Sequence, residues 1–159
     1  NLRIFEVLSS GGFLLTDSLS LESGLDLLFR DGEHLVCFED EKDLVNLDLN
    51  DDFIFKGDEN MMIFVIFNLL KNALYYKSKI EIRAEAKSDG NYLYFKDYGP
   101  GIEKDKLALI FESFFTSGKK DGTGLGLPFC KRIMTAFDGD IICKSEIDNW
   151  TEFEMKFSN

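Results

Sequence analysis

The stretch that most constrains this chain runs from Asp58 to Tyr76. Between Met61 and Leu74 it is almost continuously apolar, broken only by Asn68, Lys71 and Asn72. It holds no Gly or Pro, and Asp58 stands where an N-cap is needed, so it predicts a helix over 58–76. A helix apolar nearly all round is buried between other elements rather than laid on a surface. Asn68 and Asn72 lie four apart and therefore share one face. Burying an unpaired amide costs about 1–3 kcal/mol, so both require partners.

The 159 residues, 45% hydrophobic with 16 Phe, suffice for one globular domain with a real core. The net charge of −11, with no basic run to offset it, argues against nucleic acid as a partner. It also means that any anionic ligand must be accommodated locally. Cys37, Cys130 and Cys143 are an odd count with no C-x-x-C spacing, which fits neither a disulfide framework nor a zinc site. His34 is the only histidine, so a His-based metal cluster is excluded. No apolar run reaches the ~18 residues of a membrane span; the segment is expected to make no membrane contact and to be cytoplasmic.

Taken in order, residues 1–30 read as an N-terminal helical or linker segment, with an amphipathic helix over 19–29, and 31–159 as the main domain. Residues 34–38 and 53–55 predict short strands, and the acidic stretch 39–52 between them a solvated loop or edge rather than a metal site. Ile80, Ile82, Ala84 and Ala86 alternate with Glu81, Arg83, Glu85 and Lys87, the pattern of a half-buried strand. Ser88-Asp89-Gly90-Asn91 turns the chain into a second strand over 92–97. A short helix over 103–111, a lid-like segment over 112–124, a helix over 126–137 and strands over 140–145 and 151–157 complete the reading. The fold class predicted is α+β: a two-layer sandwich with a mixed, mostly antiparallel sheet and helices on one face.

Two stretches carry chemistry. Asp97-Tyr98-Gly99-Pro100-Gly101 sets a carboxylate at a strand end, facing a flexible turn. A fixed carboxylate there can accept a hydrogen bond from an exocyclic amine such as that of adenine, worth about 1.5–3 kcal/mol, or simply cap the corner. In Lys119-Lys120-Asp121-Gly122-Thr123-Gly124-Leu125-Gly126-Leu127-Pro128, three glycines at alternate positions precede a helix start. Such a loop lets backbone N–H groups approach a phosphate. The spacing is neither that of a Walker loop nor that of the dinucleotide fingerprint.

Asn68-x-x-x-Asn72, Asp97-x-Gly99-x-Gly101, Phe111-Glu112-x-Phe114-Phe115 and Gly122-Thr123-Gly124-Leu125-Gly126-Leu127 occur in that order. Together they resemble the N box, first glycine box, F box and second glycine box of the catalytic ATP-binding domain of bacterial sensor histidine kinases, in the GHKL superfamily shared with gyrase, MutL and the heat-shock chaperone ATPases. The resemblance implies the Bergerat fold, with ATP and Mg²⁺ held between the N-box helix and a lid over 102–123. It implies that Asn72 binds Mg²⁺, Asp97 reads the adenine amine, Tyr76 packs near the base, and Gly122, Gly124 and Gly126 meet the phosphates. By the same analogy Asn68, Lys71, Gly99, Gly101, Ile102, Phe115, Lys119, Thr123, Leu125, Leu127 and Thr151 line the nucleotide site. The partners implied are a histidine-bearing dimerisation domain of the parent kinase and a response regulator.

Gyrase-like members carry a water-activating Glu four residues before the Mg²⁺-binding Asn; here that position is Asn68. An amide is no general base at neutral pH, which favours phosphoryl transfer to a histidine over the alternative of an ATPase clamp. A degenerate, non-catalytic interaction domain is the other alternative. It draws on two departures: Tyr75 where family members often have Lys or Arg, and Trp150 where the last motif, Gly-Thr-x-Phe, has Gly. The run Pro128-Phe129-Cys130-Lys131-Arg132-Ile133-Met134 also resembles quorum-sensing, α-hydroxyketone-responsive sensor kinases. His34 is followed by Leu35 rather than an acidic residue, so it reads as a structural histidine and not the phosphoacceptor.

Overall fold

The computed structural model describes residues 2–3, 45–48, 53–76, 78–116 and 123–158. The helix and strand expected over 19–29 and 34–38, together with His34, lie outside them.

The apolar stretch forms helix α1 (Glu59–Leu74), and the Asp58 carboxylate caps it by accepting the Met61 N–H at 2.9 Å. The helix ends two residues before Tyr76, with Tyr75 and Tyr76 turning the chain toward the sheet. Its burial follows from its composition: Met62, Val65, Ile66 and Leu69 are at most 1% exposed.

Seven strands form, β1 (Leu2–Arg3), β2 (Val45–Asp48), β3 (Ile54–Phe55), β4 (Ile80–Lys87), β5 (Gly90–Asp97), β6 (Asp140–Glu146) and β7 (Trp150–Phe157), among the described residues. The main sheet has the order β2-β4-β5-β7-β6, with β2 parallel to β4 and the other pairs antiparallel. The fold class is thus the α+β sandwich expected from the sequence, but two details differ. The strand at 53–55 pairs with β1 in a separate two-stranded sheet rather than with the main one. The stretch 39–52, expected to be a solvated loop or edge, contains β2, an edge strand of the main sheet. Val45 and Leu47 alternate with Asn46 and Asp48, a period of two embedded in acidic sequence, and this segment occupies the edge of β4 that would otherwise be unpaired.

Helix α2 (Lys104–Leu107) is a single turn where a helix over 103–111 was expected; the chain continues in successive turns to Phe111. Helix α3 (Gly126–Ala136) packs beside α1. Cys130 is fully buried with its Sγ 4.0 Å from the Val65 carbonyl, and the Phe64 and Phe129 rings meet edge-on at 5.3 Å.

Antiparallel register arranges the helix-facing side of the sheet in rows. Ala84, Leu93, Met155 and Ile141 form one; Ile82, Phe95, Phe153 and Cys143 form the next. The row after that is Ile80, Asp97, Thr151 and Ser145, and there the apolar surface gives way to polar side chains. This terminal row is held by the turn between β6 and β7. Gly101 has φ +70°, and a Cβ built on it would lie 2.2 Å from the Glu146 carbonyl oxygen. The Asp148 N–H closes the contact by donating to the Pro100 carbonyl at 2.7 Å. Because the obstruction is backbone, Gly101→Ala is expected to cost about 2–4 kcal/mol in urea unfolding. A loss below about 0.5 kcal/mol would mean that the turn does not pin the glycine box.

Candidate functional site

Asp97 is the last residue of β5 and is only 7% exposed. Its Oδ1 accepts the Gly99 N–H at 3.0 Å. A Cβ at Gly99 would lie 2.7 Å from that oxygen, 3.5 Å from Tyr76 Cβ and 3.6 Å from Ser78 Oγ. Gly99 therefore lets the chain close over the carboxylate while the end of α1 approaches from the other side. The Tyr76 phenol is pushed above its ordinary value by burial first, then by Tyr75 and the Asp97 charge. Cys143, in the neighbouring row, is pushed up to about 12 by burial and then by the same charge.

Beside Asp97, Thr151 is 5% exposed, and its Oγ1 lies 3.0 Å from Ser145 Oγ. That Ser145 oxygen accepts the Ile102 N–H at 2.8 Å, tying the first residue after the glycine box to the sheet. The side chain of Ile102 packs against the core, as do those of Phe111, Phe115 and Leu127.

The second group of residues surrounds the start of α3. Asn68 Nδ2 donates to the Phe64 carbonyl at 2.8 Å, and its Oδ1 would lie 2.5 Å from a Cβ on Gly126. The N-box amide is thus held against the second glycine motif. Gly124 has φ +67°, and its Cβ would strike the Phe114 backbone at 2.4 Å. The Phe114 N–H donates to the Gly124 carbonyl at 2.8 Å, so the F box docks on the glycine motif. Phe114 itself has φ +70° and a side chain 77% exposed. Leu125 caps α3 without a side-chain hydrogen bond, and the first turn has no acidic residue.

The sequence-expected residues therefore fall into two groups joined by α1. Asp97, Gly99, Gly101, Ile102, Tyr76 and Thr151 gather at the end of the sheet; Asn68, Gly124 and Gly126 gather at the start of α3. Asn72 is half-buried one turn beyond Asn68, while Lys71, Thr123 and Leu125 are exposed. Lys119 and Gly122 lie outside the described residues. Sequence reasoning missed Ser78 and Ser145. Parity was the one available hint, since Ser78 precedes Ile80 by two positions and Ser145 follows Cys143 by two, but neither serine carries an apolar mark that pattern reading would pick out.

The donor set fits the ligands that the resemblance implies. Ser78 Oγ is buried with no hydrogen-bond partner among the described residues, beside the carboxylate that would hold a base. No group of three or more His, Cys, Asp or Glu side chains among the described residues could hold a metal alone. Asn72 can contribute one neutral oxygen, which suits Mg²⁺ bound mainly by phosphates and water.

A mixed sheet backed by two helices, with an amide pair on one helix and an aspartate at the strand end, defines the Bergerat class of ATP-binding domain. Residues 57–159 match the family "Histidine kinase-, DNA gyrase B-, and HSP90-like ATPase". The chain belongs to this family. It is 42% identical over 127 residues to the autoinducer 1 sensor kinase/phosphatase LuxN of Vibrio campbellii, covering 76% of this chain and 15% of LuxN. It is 41% identical over 116 residues to the CAI-1 autoinducer sensor kinase/phosphatase CqsS of Vibrio cholerae, covering 71% of this chain and 17% of CqsS. The chain thus spans under a fifth of either relative. Among solved structures, the mycobacterial sensor histidine kinase MprB superposes with a TM-score of 0.70 at 18% identity, covering 99% of this chain and 95% of that one. Full-length ShkA in complex with AMPPNP gives 0.61 at 25% identity, covering 72% and 26%. Residues 1–51 match a "Glycosyl transferase-like" family, over a span mostly outside the described residues. No helix among the described residues is long and apolar enough to cross a membrane.

Burial raises Cys130, like Cys143, to about 12 from the ordinary 9.0. Between these values the unfolded chain sheds thiol protons that the folded protein keeps. Stability is therefore full below about pH 9 and falls as pH rises toward 12. Urea unfolding across that range is expected to show a shallower decline for Cys143→Ala than for the parent. Equal slopes would mean that the thiol titrates normally.

Proposed function

We propose that this chain is the catalytic module of a sensor histidine kinase. It binds ATP with Mg²⁺ in the corner formed by α1, the end of β5 and the start of α3. It passes the γ-phosphoryl group to a histidine on a dimerisation domain of the parent protein, and a response regulator then receives it. In this reading residues 31–159 form the ATP-binding unit, 1–30 lead in from the dimerisation domain, and the module works in the cytoplasm.

One observation carries the reading: α1 presents an amide, not a carboxylate, to the glycine motif at the start of α3, while its other end meets the buried Asp97. Asp97 and Thr151 receive the adenine edge, with Tyr76 against the base. Gly124, Gly126 and the N-terminus of α3 turn N–H groups toward the phosphates and Lys71 supplies positive charge, roles that the family resemblance extends to Gly122 and Lys119. Asn72 would hold Mg²⁺, which when bound neutralises phosphate charge. Asn68 supports that arrangement without activating water, because an amide accepts no proton at neutral pH. In transfer the imidazole nitrogen forms a bond to the γ-phosphorus, the bond to the bridging β–γ oxygen breaks, ADP leaves, and the imidazole loses its proton to solvent. Positioning and charge neutralisation suffice for this step.

Calorimetry is expected to give a Kd for Mg-ATP between about 1 μM and 1 mM. Asp97→Ala or Asn72→Ala should weaken it at least about tenfold. With ATP and a separate histidine-bearing dimerisation domain, label should appear on the histidine with little steady hydrolysis. Absence of both heat and thermal shift would instead favour an interaction domain.

Gly126→Ala separates site from scaffold. The atom in its way is the end of a side chain, so the Asn68 amide is displaced and the backbone is not. Stability should change by less than about 1 kcal/mol, while phosphotransfer drops at least about tenfold. Unchanged transfer would remove Asn68 from the site.

A further inference from the structure

The polar row at the end of the sheet has a hydrogen-bond polarity that its protons determine. Ser145 Oγ has three neighbours: the Ile102 N–H at 2.8 Å, the Trp150 carbonyl at 2.7 Å and Thr151 Oγ1 at 3.0 Å. A hydroxyl carries one proton and two lone pairs. The Trp150 carbonyl can only accept, so it takes the Ser145 proton. The Ile102 N–H can only donate, so it takes one lone pair. The remaining lone pair can only receive the Thr151 proton. The Thr151 hydroxyl, its proton spent on Ser145, turns only acceptor capacity toward Asp97, its register partner on β5.

From this we infer that Ser145 is a positioning residue that fixes Thr151 as an acceptor, so that the Asp97–Thr151 row selects a nucleobase edge bearing an amine over one bearing a carbonyl. The inference rests on the nucleotide-site reading above and adds the origin of base selectivity. A carboxylate alone repels a carbonyl edge, but a neighbouring hydroxyl free to rotate could donate to that carbonyl and soften the discrimination. The Ser145 chain of bonds removes that option. It explains a serine that the motifs do not mark and that touches no part of the expected ligand.

The test is the ratio of Kd for GTP to Kd for ATP, both with Mg²⁺, in the whole chain. The parent should favour ATP strongly. Ser145→Ala should lower the ratio about tenfold, mainly by improving GTP binding, and Ser145→Thr, which keeps the hydroxyl, should restore it. A purely structural role would weaken both nucleotides together and leave the ratio unchanged. If Ser145→Ala does not fold, Ser145→Cys, a weak donor and acceptor of similar size, must give the same fall. An unchanged ratio in a folded Ala or Cys variant overturns the inference and leaves the ATP site standing. Failure of the parent to bind either nucleotide overturns the site reading itself.

Discussion

A carboxylate buried at the end of a strand is costly unless hydrogen bonds or opposite charge meet it. Asp97 sets this problem for the structure, and the local backbone answers it. Gly99 brings its N–H to Oδ1, and a side chain at that position would collide with the same oxygen. The register of β4, β5, β7 and β6 then puts Asp97 in the helix-side row that also carries the polar side chains of Thr151 and Ser145. The apolar rows behind it fix that register, since a slip of one residue would turn Leu93, Phe95 and Asp97 to the opposite face together. Core packing and site placement are therefore the same constraint.

The glycines divide according to what obstructs them. At Gly101 and Gly124 the obstruction is backbone, from the β6–β7 turn and the F box respectively, and both residues have positive φ. These two hold segments together. At Gly126 the obstruction is the Asn68 amide, so the residue governs a side chain's place and not the path of the chain. A glycine-rich motif is commonly read as flexible, yet these positions are glycine because other atoms already occupy the space where a Cβ would go.

Periodicity made α1, α3 and the two antiparallel hairpins legible, because each repeats an apolar position at the spacing of its own geometry. β2 escaped because Glu39, Asp40, Glu41, Asp43, Asp48, Asp51 and Asp52 dominate their neighbourhood and mask the alternation of Val45 and Leu47. The strand exists through pairing with β4, a tertiary contact that composition does not record. The helix expected over 103–111 stops at Leu107, where the ladder gives way to tighter turns: the Leu109 N–H donates to the Lys106 carbonyl and the Glu112 N–H to that of Leu109. In the site, the motif residues were legible from order and spacing, whereas Ser145 and Ser78 were not. Serine carries no hydrophobic signal, and its role appears only once the strand register says what it faces.

The acidic composition and an anionic ligand are reconciled by where the charge sits. Among the described residues Asp97 and Thr151 are the polar residues buried as a whole, so the helix-side face carries one carboxylate, at the end of β5. On the opposite face the acidic groups stand in pairs: Arg83 with Glu85 and Glu152, Lys144 with Glu154, and Lys156 with Asp89. All of these but Lys156 line a concavity of about 440 Å³ in which Lys87 lies over the stacked Tyr92 and Tyr94 rings. Exposed pairs of this kind contribute roughly 0–1 kcal/mol each to stability, so their importance lies elsewhere. They neutralise charge locally, and beyond about 8 Å salt screens what remains. The sheet thus separates a charge-balanced outer face from an inner corner governed by a helix N-terminus and amide side chains. A polyanion at that corner responds to the local dipoles and not to the net charge of the chain.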